Sequence, residues 1–432
     1  MAMLGLCVSA FAAEKADKAE KKEAVKEHLE NHFKIYGFIR NYFTYDNRES
    51  VGGTADLFYW TPKDENWNYT QAEAKLLGVE RQDLNAQNQF RFLSLTSRVG
   101  VDVSGYKIAG LEFGAKVEAD FYAGLTGSTG TAQLRLRQAF LTMTAANLGR
   151  NNNQTSVLKV GQGWHPMAAD MPDIYSLETG APFGPFSRTP LVQEDYSIGK
   201  NFTATAALIW QMQYTSAGPD GASANYMKYG MAPELYLGLT YKNGGFLGRV
   251  GYDFLSIKPR NVVNNLKAKE RMNASMGFVY LQYKKDLFTA KAKTTLGQGG
   301  EHFGIMSGYV EYLDKNLTVQ YDPMRSSSTW VSLSYGKKVV GSLFVGYMQN
   351  FGTAKEHDIA KIYYNKSGFS NINRMFRIEP EVTYNIGKFQ VGLEYMLTAT
   401  QFGKNQNKHG LFTDDLHWVA NHRVQAIVKF TF

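Results

Sequence analysis

The chain has 432 residues, 44% of them hydrophobic and 14% aromatic, with a formal net charge of +8 and one cysteine. No run approaches the ~20 apolar residues of a membrane helix. A mean hydropathy of −0.33 is still compatible with a barrel of alternating strands, whose two faces average out. The single cysteine excludes a disulfide framework. The basic residues are spread singly without a stripe or binding motif, which argues against a nucleic-acid partner.

Residues 1–13 read as a secretory signal with a shortened n-region. Leu4 to Val8 is the apolar run and Ala10-Phe11-Ala12 an A-x-A-like site. Cys7 leaves with that signal; Leu6 before it is too large for a lipobox. Residues 14–33 change composition, with Lys and Glu alternating at i,i+4 spacing, which favours a solvated periplasmic helix. Val25 and Leu29 form a short apolar seam, so the segment reads either as a tether or as a short coiled coil joining several chains. His28 and His32 lie four apart on it, but a charged solvated face accounts for them, and no metal or cofactor is expected.

From Lys34 onward one unit repeats: about 8 to 15 alternating residues, then a turn. Eighteen such runs can be counted. The first nine lie near 34–45, 89–104, 110–125, 133–145, 156–163, 190–199, 202–216, 230–242 and 245–257. The others lie near 270–284, 287–298, 303–313, 316–323, 328–337, 339–351, 373–385, 388–402 and 417–432. In the third, Phe113, Ala115, Val117, Ala119 and Phe121 share one face, while Glu112, Lys116, Glu118 and Asp120 share the other. Short turns such as 242–245, 336–338 and 386–388 alternate with long loops such as 46–88, 164–189 and 352–372. That asymmetry, with aromatics near strand ends (Tyr36, Phe43, Tyr45, Tyr252, Phe254, Tyr280, Tyr283), is expected of an outer-membrane barrel. The last run ends the same way. Val424, Val428, Phe430 and Phe432 share its apolar face with Ala426 and fit a C-terminal insertion signal read by barrel-assembly machinery.

The fold expected is therefore all-β: a transmembrane antiparallel β-barrel of 16 to 18 strands over residues 34–432, with a short N-terminal periplasmic helix. It would sit in outer-membrane lipid with both termini periplasmic. Taking the polar faces as lumenal, basic and acidic residues nearly cancel, so selectivity rests on the narrowest section. Arg135 and Arg137 project from one face of the fourth run, with Leu134, Leu136 and Phe140 on the other. Arg98, Lys116 and Arg188 complete the candidate positive wall. The Pro-rich segment 164–190 is stiffened by Pro166, Pro172, Pro182, Pro185 and Pro190, and reads as a constriction loop folded inward or as a surface or subunit-contact loop. Folded inward, its Asp170, Asp173 and Glu178 would join Glu118 and Asp120 as the negative groups.

The stretches L-R-L-R-Q-A-F-L (134–141), K-V-G-Q-G-W-H-P (159–166) and V-E-A-D-F-Y-A-G (117–124), with the Pro-rich loop to Phe186-Ser187-Arg188, resemble the DcaP-type outer-membrane porins. The resemblance covers residues 14 to 210; beyond them only the periodicity supports it. It implies a homotrimer, an inward-folded third loop, a periplasmic helix, a preference for small anions such as dicarboxylates, and sixteen strands rather than eighteen. His165 departs from the family, which more often has a small hydroxyl residue there. No G-x-S-x-G, H-E-x-x-H or Cys/His metal spacing occurs, so no enzyme is expected, and about twenty residues before the first strand leave no room for a plug domain. The expected activity is passive diffusion of small hydrophilic, preferentially anionic solutes. The alternative is a structural or adhesive barrel plugged by its loops.

Overall fold

The computed structural model of the chain describes residues 32–52, 59–123, 133–176, 179–364 and 370–432. The expected signal 1–13, the expected helix as far as residue 31, and Glu178 lie outside the described residues.

Sixteen antiparallel strands form one closed barrel. They are β1 (Phe33–Asp46), β2 (Gln89–Leu93 continued by Arg98–Ile108), β3 (Leu111–Ala123), β4 (Gln133–Leu148), β5 (Gln154–Trp164) and β6 (Arg188–Ile198). Then follow β7 (Phe202–Ile209), β8 (Glu234–Asn243), β9 (Phe246–Ile257), β10 (Met272–Lys285) and β11 (Phe288–Gln298). The last are β12 (Arg325–Gly336), β13 (Val339–Gly352), β14 (Ile372–Ile386), β15 (Phe389–Gln406) and β16 (Phe412–Thr431). Each pairs with the next, and β16 closes on β1 from Phe38↔Thr431 to Asp46↔Arg423, so the barrel has no free edge. The two segments of β2 both pair with β1. Between them Ser97 N–H turns back to Ser94 C=O at 3.1 Å, and Arg40 N–H bonds the Ser97 hydroxyl at 3.1 Å.

The eighteen runs read from the sequence therefore include two that are not barrel strands. Runs 303–313 and 316–323 become Gly308–Leu313 and Val319–Pro323, which pair with each other and, through the former, with Ile359–Tyr364 in a separate three-stranded sheet among the loops. Alternation marks a strand with one covered face but does not say what covers it. Here the cover is a tyrosine cluster, Tyr309 against Tyr321 and Tyr363 with ring centroids 5.9 and 5.0 Å apart.

The outer wall is apolar because every second side chain points out. Val117, Leu141, Leu237, Leu239, Val391, Leu393, Val424 and Val428 are all exposed, as a lipid-facing wall requires. Phe430 stacks on Phe389 at 4.7 Å, and the backbone of Phe432 exchanges both hydrogen bonds with Gly37. Two aromatics assigned to the strand-end belts turn inward instead. Tyr36 donates to Glu118 at 3.0 Å, and Tyr280 is buried.

The connections alternate strictly. Seven are short (109–110, 149–153, 199–201, 244–245, 286–287, 337–338 and 387–388). Gly244 and Gly387 take φ of 56° and 58° in two of them, a conformation that costs glycine little. At the other end lie 47–88 (L1), 124–132, 165–187 (L3), 210–233, 258–271, 299–324 (L6), 353–371 and 407–411. L1 carries the helix Gln71–Leu77, closed by a Thr70/Glu73 capping box. Nearby, Asp83 accepts from Asn66 N–H, Asn85 N–H and Arg48 at 2.9, 3.0 and 2.5 Å. Burial pushes the Asp83 carboxyl up, but these donors outweigh it and hold it below the usual range.

Candidate pore constriction

L3 leaves β5 at Trp164 and returns at Arg188, its base pinched by His165 N–H to Ser187 C=O at 3.1 Å. Between those points it lies inside the barrel, against strands distant in the chain. Lys293 donates to Met167 C=O at 2.5 Å, and Arg249 grips both oxygens of Asp170 at 2.7 and 2.8 Å. Lys291 pairs with Asp173, and Asp173 N–H donates to the Ser332 hydroxyl at 3.1 Å. Further along, Tyr175 N–H donates to Glu381 at 2.8 Å and Ser176 N–H to Glu394 at 3.1 Å. Arg377 donates to Ala181 C=O at 3.0 Å. Apolar packing completes the seat: Phe183 lies edge-on to Phe344 at 6.1 Å, and a Cβ on Gly346 would stand 2.4 Å from its ring.

The facing wall, built by β1 to β6, is basic. A β-bulge makes it so. Glu118 pairs with Gln138 but Ala119 with Leu136, which leaves Arg137 as the extra residue. Arg137 then binds Glu118 at 2.7 Å and Asp120 at 2.8 Å, while Arg135 takes Asp120 in two bonds of 3.0 and 2.8 Å. The bulge also shifts the alternation, so Phe140 opposes Lys116 and faces the lumen beneath Lys159. The expectation that Phe140 shares the outer face of Leu134 and Leu136 is corrected by that one inserted residue.

Three more guanidinium groups join this wall. Arg98 lies 3.6 Å from Glu118 and over the Phe38 ring at 5.0 Å. Arg40 covers Phe38 and Tyr42 and donates to the Thr96 hydroxyl at 3.0 Å. Arg188 is buried among Trp164, Phe186 and Tyr214, donates to the Tyr214 hydroxyl at 3.1 Å, and leaves Nε and Nη1 without a hydrogen-bond partner. Among the described residues Arg188 has no carboxylate ion pair, so within the cluster around Arg137 five guanidinium groups are set against two carboxylates, Glu118 and Asp120.

The residues singled out from the sequence thus fall into two groups. Arg98, Arg135, Arg137, Arg188, Glu118 and Asp120 come together. Lys116 lies beside them, held by Asp102 at 2.6 Å and by the Tyr36 hydroxyl at 3.0 Å. Asp170 and Asp173 are on L3 but turned to Arg249 and Lys291. Sequence reasoning missed Arg40, although its alternation with the exposed Ile39 marks it as inward. It also left Arg249, Lys291 and Arg377 as undifferentiated lumenal charges. Nothing local marks them as seats for a loop 79 to 196 positions away.

No family model matches the chain, and no curated protein does. Solved structures do. The outer membrane channel DcaP of Acinetobacter baumannii is 17% identical, covers 93% of this chain and 97% of its own, and superposes with a TM-score of 0.64. The anion-selective porin from Comamonas acidovorans is 11% identical with a TM-score of 0.52, covering 93% of this chain and 99% of its own. Salmonella typhi OmpF is 12% identical with a TM-score of 0.51 over 93% and 97%. A closed sixteen-stranded wall, short turns at one end, long loops at the other and a third loop seated in the lumen together make this the fold of the outer-membrane porins.

Proposed function

We propose that the protein is an outer-membrane porin, a water-filled channel for passive diffusion of small hydrophilic solutes with a preference for anions. One observation carries the reading. The cluster around Arg137, opposite L3, holds five guanidinium groups against Glu118 and Asp120, while the L3 carboxylates Asp170 and Asp173 are already neutralised by Arg249 and Lys291. An anion passing this section meets uncompensated positive charge where it has lost part of its water. Buried, partly paired guanidinium groups act at a lower local dielectric than water, so their pull is stronger there. The porin fold supports an outer-membrane location with both termini periplasmic, and a homotrimer accords with it.

Planar-bilayer recording near 0.1 M salt tests this, since at ~1 M the screening length falls to roughly 3 Å. Three-step conductance with a reversal potential of anion sign is expected. A barrel that inserts but never conducts would instead be a plugged structural or adhesive one.

A further inference from the structure

At the root of L3, apart from the constriction, five ionisable side chains are closed off from water. His165 (0% exposed), Glu234 (1%), Asp253 (2%), Glu301 (3%) and His302 (4%) come from L3, β8, β9 and the short turn Glu301–Phe303 of L6. Nε2 of His165 lies 3.2 Å from Oε1 of Glu234 and 3.7 Å from Oδ1 of Asp253. Nε2 of His302 lies 3.1 Å from the same Glu234 oxygen. One ligand atom from each of His165, Glu234 and Asp253 falls within 4.8 Å of the others. Nitrogen and oxygen ligands about 2.0–2.1 Å from a tetrahedral zinc stand roughly 3.3 Å apart, so a small contraction of His165, Glu234 and Asp253 gives the spacing of a coordination shell.

Two observations ask for a cation rather than a plain hydrogen-bonded cluster. Oε2 of Glu234 and Oδ1 of Asp253 are buried with no hydrogen-bond partner, a costly state for a carboxylate. The Glu234 and Asp253 carboxyl groups also lie close together, and the neighbouring Lys293 is turned to Met167 C=O. We propose that His302, Glu234, Asp253 and His165 bind one divalent transition cation, zinc being the best fit, which clamps L3 and L6 to the barrel wall. Two imidazole nitrogens suit zinc and disfavour magnesium and calcium, which prefer oxygen shells.

The two histidines play different parts. Met167 N–H donates to Nδ1 of His165 at 3.1 Å, which keeps that ring's proton on Nε2. A cation arriving at Nε2 displaces the proton to Nδ1, and the Met167 hydrogen bond opens. His165 and the two carboxylates, whose ligand atoms the structure already gathers, are the primary ligands and couple the cation to the first turn of L3, while His302 joins through the Glu234 oxygen that it shares with His165.

The test is metal analysis of the full chain, purified from outer membranes in detergent without chelator, equilibrated with zinc and washed. The expected result is about one zinc per chain, falling below roughly one-tenth in Glu234→Gln and His165→Ser. Asp170→Asn, outside the cluster, keeps its zinc, and His302→Ala binds zinc more weakly than the wild type but more tightly than His165→Ser. Absence of zinc from the wild type, its full retention in both ligand variants, the reverse order of the two histidine variants, or calcium held in its place would overturn the proposal. Should a variant fail to give a heat-modifiable barrel, the wild type decides alone. Its unfolding midpoint rises in zinc over EDTA, and equal midpoints overturn the site. Neither readout depends on whether the barrel conducts.

Discussion

The two walls of the candidate constriction both present charge to the lumen and use it differently. On the wall of β8 to β15, cations and carboxylates are turned to L3: Arg249 and Lys291 hold its side chains, and Lys293, Arg377, Glu381 and Glu394 hold its backbone. In the cluster around Arg137, on the wall of β1 to β6, guanidinium groups outnumber carboxylates and have rings for neighbours. The lesson is that an inventory of lumenal charges says little until each is assigned a partner. One wall is an anchor and the other a field.

The most direct way to break this contrast is to remove the field. Arg135→Ala with Arg137→Ala exposes Glu118 and Asp120, so both signs change at once. The reversal potential in a tenfold salt gradient should move toward the cation side by tens of millivolts, a sizeable share of the ~59 mV ideal limit. The barrel should still assemble, its stability residing mainly in the lipid-facing wall, and an unchanged reversal potential would put the narrow section elsewhere.

A second variant attacks the anchor. Gly346→Leu drives a side chain into Phe183, and overpacking of this kind costs about 1–3 kcal/mol. Displacement of L3 should raise single-channel conductance and its noise while strands β12 to β14 stay paired. Conductance identical to wild type would mean that L3 is not held by this contact.

Smaller is the effect of Asp170→Asn with Asp173→Asn. Their charges are already cancelled, so the change releases Arg249 and Lys291 and shifts selectivity modestly further toward anions. A shift as large as that of the arginine pair would contradict the assignment of anchor and field.

The smallest effect is in L1 and follows from pH. Asp83 has a folded pKa below its unfolded value of about 3.9. Its contribution is therefore present above that value and lost as pH falls through the folded one. Protection of the L1 amides, taken relative to their intrinsic exchange at each pH, should fall below about pH 4, ahead of any change in the barrel strands, and Asp83→Asn should remove the step.

Much of this was legible in the chain. The alternation in β3 and β16 marks both faces of the wall, and the clustered prolines mark L3. Three features were not. The tyrosine-backed hairpin Gly308–Leu313 and Val319–Pro323 alternates like a barrel strand, because periodicity reports a covered face without naming the cover. The bulge at Arg137 turns Phe140 inward, and a one-residue insertion leaves no mark in composition. The seats of L3 lie on strands that the chain reaches only 79 to 218 residues later, and pairing at such distance is a property of the closed barrel rather than of any segment.

L3 touches β9 through Arg249, β11 through Lys291, β14 through Arg377 and β15 through Glu394. In mechanical terms it is a chord fastened at several points around a hoop. A hollow cylinder of strands deforms most easily by flattening to an ellipse, and such a chord resists that mode. In the membrane proposed for this barrel, a change of lipid thickness or tension should therefore alter the tilt of the wall before it alters the opening beside Arg137.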